Sequence, residues 1–294
     1  MKTLQTLVVV LLASLVIKPA AAIKIIDNEV PTKYTDIKVT GFYNYPPFGE
    51  TTDPESEGRY DYTGVFNQFI SDFAAQSGDF KLKYVMWYET YPQAVRKVRS
   101  GNIDMILGIY HETQLYRGLE YVYPAIIDNP ITIFMLPQNI EKVKTLDDLK
   151  KLKGARSGRE FYSDYVSEQM AAYQLEVVDS SYELFEKLFT GKIDYIMISQ
   201  YFGLIEASKL GLRDKIGISR QVVWKMPLFI GVSKISPYRK FLVQRLTRFS
   251  EDPENQKKIR QKLIDLVVQA EKESRGIVPP AYALEENQLS DKKQ

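Results

Sequence analysis

Three groups of residues in this 294-residue chain could hold or transform a small molecule. The first is an aromatic turn, Tyr43-Asn44-Tyr45-Pro46-Pro47-Phe48. Two prolines restrict its backbone, and Tyr43, Tyr45 and Phe48 offer flat faces for a ring or apolar solute. Trp87, after a strand-like run, could add another face. The second group is basic. Arg156 and Arg159 flank a Ser157-Gly158 turn before a predicted helix, where an anion would meet guanidinium charge and free backbone N–H groups. The third is His111, the only histidine, at the end of an apolar run. It could contact a ligand or carry a proton. One histidine cannot make a His-rich metal site, and neither His-Glu-x-x-His nor a Gly-rich phosphate loop occurs. No Gly-x-Ser-x-Gly elbow precedes a helix. The absence of cysteine removes disulfides, thiolate metal sites, Cys nucleophiles and a lipid-modified N-terminal Cys. No metal or cofactor is expected.

The elements that would position these groups are visible in a stretch used twice. Tyr91 to Leu107 and Ser181 to Met197 align at a constant offset, with Lys97 on Lys187, Gly101 on Gly191, Ile103 on Ile193 and Asp104 on Asp194. In each copy, apolar residues at helical spacing lead to a Gly that can close the helix in the left-handed conformation. A short apolar run follows, of the length of a buried parallel strand. Asp104 and Asp194 stand at the start of these strands, where structural hydrogen bonding is the expected role for a carboxylate.

The rest of the chain continues the alternation. Asp36–Phe42 and Phe80–Trp87 read as strands, with an amphipathic helix over Gly64–Gln76 between them. Ile131–Leu136 reads as a strand and Gly154–Gly158 as a turn. Thr145 caps a short helix, and Glu160–Tyr173 reads as a longer one. Leu175–Val178, Ile216–Val223 and Pro227–Val232 read as strands, and Gly203–Leu210, Pro237–Phe249 and Pro253–Ala270 as helices. Residues 1–22 have the pattern of a secretory signal: Lys2, an apolar Leu7–Ile17 core and an Ala20-Ala21-Ala22 site. That run is too short to span a membrane. Its removal near Ala22 would take away two lysines and bring the formal charge from +2 to zero, which gives no support for nucleic-acid partners. The fold expected is α/β: two three-layer lobes joined by two crossing strands, with a cleft between. Residues 23–134 form the first lobe, 135–222 the second and 223–275 the return to the first, while 276–294 are a flexible tail.

In order and spacing, residues 35–272 resemble the bacterial extracellular solute-binding proteins of family 3, periplasmic receptors of amino-acid ABC importers. Tyr45-Pro46-Pro47-Phe48, Gly64-Val65-Phe66, the two units Ser100-Gly101-Asn102-Ile103-Asp104 and Thr190-Gly191-Lys192-Ile193-Asp194, and Asp147-Asp148-Leu149-Lys150 before Gly154 carry the resemblance. It implies a monomeric two-lobed receptor that closes on its ligand and presents it to a membrane permease or sensor. It also places the grip at the two strand ends, Tyr110-His111-Glu112-Thr113 and Ser199-Gln200-Tyr201. Two positions depart from the family pattern. Tyr116 has the spacing of the family's carboxylate-binding Arg, with Arg117 one place late. Ser199 stands where the family has the Asp that holds an ammonium. Ser157, with Arg159, replaces a Gly-Thr-Thr anion site. These departures predict a polar or anionic ligand with a ring or apolar portion, held by Arg159 or Arg117, and no counter-charge for an ammonium. Two other roles fit the same scaffold: a soluble partner of a membrane sensor, and a cyclohexadienyl-dehydratase-like enzyme using His111, Glu112 or Glu160 as acid or base.

Overall fold

The computed structural model describes residues 29–284, except 43, 52–60, 79, 87–90, 112–114 and 220–221. The expected signal segment, Tyr43, Trp87 and Thr113 therefore lie outside the described residues.

In chain order the elements are β1 (Asp36–Thr40), β2 (Asn44–Tyr45), β3 (Gly49–Thr51), β4 (Tyr62–Thr63), α1 (Val65–Ser77), β5 (Lys81–Tyr84), α2 (Tyr91–Arg99) and β6 (Met105–Tyr110). The long strand β7 (Leu119–Met135) leads across to β8 (Gly154–Ser157), α3 (Asp164–Met170), β9 (Glu176–Val178), α4 (Ser181–Phe189), β10 (Tyr195–Ser199), α5 (Gln200–Lys209) and β11 (Gly217–Ile218). Strand β12 (Trp224–Ser233) returns, followed by α6 (Arg239–Glu251), α7 (Pro253–Glu273) and α8 (Ala281–Leu284). The main sheet has the order β5-β1-β6-β12-β7-β10-β8-β9, with β11 on β7. The pairs β5-β1-β6 and β10-β8-β9 are parallel, and β12 and β7 run antiparallel through the middle. This is the two-lobed α/β fold, with β7 and β12 as the crossing strands. No described helix is long and apolar enough to cross a membrane.

The doubled stretch performs the same task in both lobes. Gly101 and Gly191 close their helices at φ 74° and 70°, a region closed to most side chains. Asp104 Oδ2 accepts from Lys38 N at 2.9 Å, and Asp194 Oδ2 from Lys153 N at 2.8 Å. Each carboxylate thus ties its strand to the neighbouring one at the entrance to the sheet. Asp104 is the more deeply buried and also accepts from Ser236 Oγ at 2.7 Å.

Several boundaries differ from the sequence reading, each for a physical reason. The expected turn at Gly154–Gly158 is strand β8, because it finds parallel partners in β10 and β9. A side chain at Gly154 would strike the Tyr195 ring, so the glycine marks close packing rather than a bend. Strand β7 begins at Leu119, not Ile131, since β12 pairs with its first half and β10 with its second. The helix expected from Glu160 starts at Asp164, capped by Ser163 Oγ, which accepts from Val166 N. Glu160, Phe161 and Tyr162 precede it in irregular backbone. The strand expected over Ile216–Val223 reduces to Gly217–Ile218 among the described residues. Part of the expected loose tail packs on the second lobe. Ile277 lies against Gly211, Tyr282 against Tyr182 and Phe189, and Ala283 is buried. Tail burial depends on distant partners, so local composition does not reveal it.

Replacing Asp104 by Ala should cost about 1.5–3 kcal/mol, because two groups, Lys38 N and Ser236 Oγ, lose charge-assisted bonds. Asp194→Ala should cost less, being more exposed and serving one donor by its side chain. Urea unfolding of both variants against wild type checks the order.

Candidate functional site

The ends of β2, β6 and β10 converge on one buried hydrogen-bond network. Tyr45 anchors it from the first lobe. Its ring packs on Phe42 and Phe48, with centroids 4.9 and 5.5 Å away, and on Phe202 of α5 at 5.2 Å. The Tyr45 hydroxyl donates to Glu160 Oε1 at 2.6 Å. Tyr162 donates to Glu160 Oε2 at 2.5 Å, and Ser199 N reaches both oxygens at 3.2 Å. Asn129, fully buried in crossing strand β7, binds both lobes at once. Its Nδ2 donates to the Tyr45 and Tyr110 hydroxyls at 2.9 Å each, and its Oδ1 accepts from Ser199 Oγ at 2.5 Å. Ser199 Oγ also caps α5 by accepting from Phe202 N.

Glu160 is 4 % exposed, yet every donor given to it among the described residues is neutral. Burial pushes its carboxyl up to about 6, opposed by the bonds from Tyr162, Tyr45 and Ser199 and by the charge of Arg156. Burial and the nearby Glu160 charge hold the Tyr45 and Tyr162 hydroxyls well above the ordinary tyrosine range, so both stay protonated donors.

A cavity of about 520 Å³ opens beside this network. Tyr110, Leu115 and Tyr116 wall it from the first lobe. Arg156, Glu160, Phe161 and Tyr162 wall it from the second, with Asp164 and Asp179 also in the lining. The size lies within the usual range of about 300–1,000 Å³ for small-molecule sites. The Tyr116 hydroxyl lies 3.0 Å from that of Tyr91, whose ring in turn meets Phe161 across the cleft at 5.2 Å. The Arg156 guanidinium lies over the Tyr162 ring at 5.7 Å. A further contact between the lobes joins Lys209 Nζ to Glu50 Oε1 at 3.3 Å.

The residues selected from sequence separate into groups. Tyr45, Tyr110 and Ser199 meet in the network. Phe48 is buried beneath it, against Tyr45 and Tyr201. Ser157 is buried and holds Arg159 N at 3.1 Å. Gln200 is half-buried at the first position of α5. His111 stands apart, stacked on Tyr121 at 5.0 Å and bonded to the Tyr123 hydroxyl at 3.1 Å. It lines a separate cavity of about 230 Å³ with Tyr110, Trp224 and Met226. Of the arginines expected to take an anion, Arg156 lines the main cavity, while Arg117 and Arg159 do not. Arg117 is exposed. Arg159 lies 3.9 Å from Glu206 and over the Phe202 ring at 5.8 Å.

The expectation that Ser199 leaves the cleft without a carboxylate is corrected by Glu160. Its oxygens sit on Ser199 N itself, so the charge missing from the strand end returns from the loop before α3. Sequence reading weighed Glu160 only as an acid or base, and missed Asn129, Tyr116, Phe161 and Tyr162 as site residues. Asn129 left a weak trace, a polar Asp128-Asn129 pair between the apolar Ile126-Ile127 and Ile131–Phe134 segments. Tyr116 left one as well, its place at the spacing of the family's Arg, while Phe161 and Tyr162 left none.

No family model matches the chain, and no curated protein matches it in sequence. The fold itself is that of the two-lobed periplasmic binding proteins. An amino acid ABC transporter substrate-binding protein from Streptococcus pneumoniae, bound to L-arginine, superposes with a TM-score of 0.60 at 17% identity, over 79% of this chain and 94% of that one. The GluR0 ligand-binding core with L-glutamate gives 0.60 at 13% identity, over 80% and 98%. A histidine kinase sensor domain with similarity to periplasmic binding proteins gives 0.56 at 16% identity, over 84% and 99%.

Because Glu160 titrates higher in the folded protein than its ordinary value of 4.5, the folded state takes up its proton first. Its contribution to stability is fully present below about pH 4.5 and is lost as pH rises through about 6, an effect of about 2 kcal/mol. Glu160→Gln should flatten that part of the stability profile. Denaturant unfolding at a series of pH values reads it directly.

Proposed function

We propose that this chain is a periplasmic solute receptor, which captures a small molecule between its lobes by hinge closure and delivers it to an ABC importer. The observation that carries this reading is the cavity walled by side chains from both lobes, joined by Asn129 on a crossing strand. Ligand placed there would touch both lobes together, so binding energy would favour the closed form. The named solute-binding proteins of the same fold support the receptor role. The sensor domain among the similar structures supports a second reading, in which closure is reported to a membrane sensor rather than coupled to uptake. Both readings share the capture step.

Thermal unfolding with a panel of amino acids, amines and organic acids tests capture. A true ligand at a hundredfold excess over its Kd should add about 2.7 kcal/mol and raise the midpoint by about 5–11 °C. Small-angle scattering should show the protein more compact, or equally compact, with that ligand. Conversion of the solute into a new product, seen by mass spectrometry, would replace the receptor by an enzyme.

A further inference from the structure

The cleft cavity combines a buried carboxylate with aromatic walls, and this combination selects the charge of what it holds. Tyr110, Tyr116, Phe161 and Tyr162 present rings, and Glu160 contributes the one deeply buried charge of the lining. A carboxylate offers about four lone-pair positions. Three neutral donors make four contacts with it. Tyr45 and Tyr162 take one oxygen each at 2.6 and 2.5 Å, and a single Ser199 N–H is shared between both at 3.2 Å. One position is thus held only by half of a shared, longer bond. A further, charged donor can therefore be accepted without dismantling the network. Asp164 and Asp179 add negative charge to the same lining. Arg156 is the only cation among the described lining residues, and its guanidinium already lies over Tyr162. Arg117 and Arg159, the other candidates for an anion, lie outside this lining.

We propose that the cleft takes an organic cation with an apolar or aromatic body and no carboxylate, an amine rather than an amino acid, its ammonium on Glu160 and its body among the four rings. This rests on the receptor reading and deepens it. An ammonium in the closed cleft gains a charge-assisted bond to a carboxylate and the attraction of ring faces for positive charge. A ligand carboxylate would meet two aspartates and a single, already stacked guanidinium, so the lining works against zwitterions as well as for cations. The groups facing Glu160 from its surroundings are Tyr45 and Tyr110 from the first lobe, Tyr162 from its own loop and Arg156 from β8. The tyrosines do not titrate in the neutral range, because burial raises them. Glu160, raised to about 6, is the group whose ionisation would track binding there.

Calorimetry with a matched series tests the charge rule: phenethylamine, L-phenylalanine and 3-phenylpropanoate share one ring and differ only in their ionised groups. Phenethylamine should bind at least about tenfold more tightly than L-phenylalanine, as expected for one charge-assisted contact retained without a carboxylate penalty, and 3-phenylpropanoate should not bind. Glu160→Gln should weaken phenethylamine by about tenfold or more. Should that variant not fold, the wild type gives the same reading by pH. Phenethylamine stays protonated throughout, so its affinity should fall about tenfold from about pH 7.5 to about pH 5 as Glu160 takes a proton. His111→Gln should leave this profile unchanged, since His111 lines the other cavity. Equal or tighter binding of L-phenylalanine or 3-phenylpropanoate, or a flat pH profile, overturns the cation assignment and leaves the receptor standing. If the series is silent but a solute of the wider panel binds, a cationic solute supports the assignment and an anionic or zwitterionic one overturns it. Silence from both panels removes the receptor reading and this inference with it.

Discussion

The buried carboxylate of Glu160 is the constraint on which the centre of this molecule depends. A desolvated charge of this kind is costly unless its oxygens are bonded. Here the donors come from both lobes and from three elements: Tyr45 of β2, Tyr162 before α3, and the backbone at the end of β10. Asn129 then fixes the Tyr45 and Tyr110 hydroxyls and the Ser199 side chain in a single pattern of donors and acceptors. The relative position of the lobes is thus coupled to the hydrogen bonding of one side chain. Separation would return Glu160 and Tyr45 to water at the expense of that pattern.

The scaffold around this centre is conservative in its means. Two copies of helix, glycine and strand build the two lobes, and each uses an aspartate to bind the backbone of the adjacent strand. The crossing strands β7 and β12 pair with each other through the middle of the sheet, so the connection between the lobes is itself a hydrogen-bonded ladder. The segment after α7 packs on the second lobe, giving the chain a further contact across the two halves.

The aromatic content has two distinct uses. Phe42, Tyr45, Phe48 and Phe202 form a packed interface beneath the network, where ring burial contributes cohesion. Tyr110, Tyr116, Phe161 and Tyr162 instead line the open side. The same residue types thus serve as core in one layer and as cavity wall in the next. The difference lies in which side of Glu160 they occupy.

The amino-acid sequence by itself determined the α/β alternation, the doubled unit, the structural role of Asp104 and Asp194, and the place of Tyr110 and Ser199 at strand ends. These follow from periodicity, from glycine at helix ends and from the order of motifs, all of which act over short distances along the chain. Only the tertiary structure decided how the cleft is charged. Glu160 and Ser199 are far apart in sequence, and their bond depends on the loop before α3 folding back onto the end of β10. The same is true of Tyr116 beside Tyr91, of Asn129 between the lobes, and of Arg159 drawn to Glu206. A substitution at one strand end can be answered from any element that reaches the same point in space. The sign of charge in a cleft is therefore a property of the assembled lobes, and no single stretch of the chain carries it.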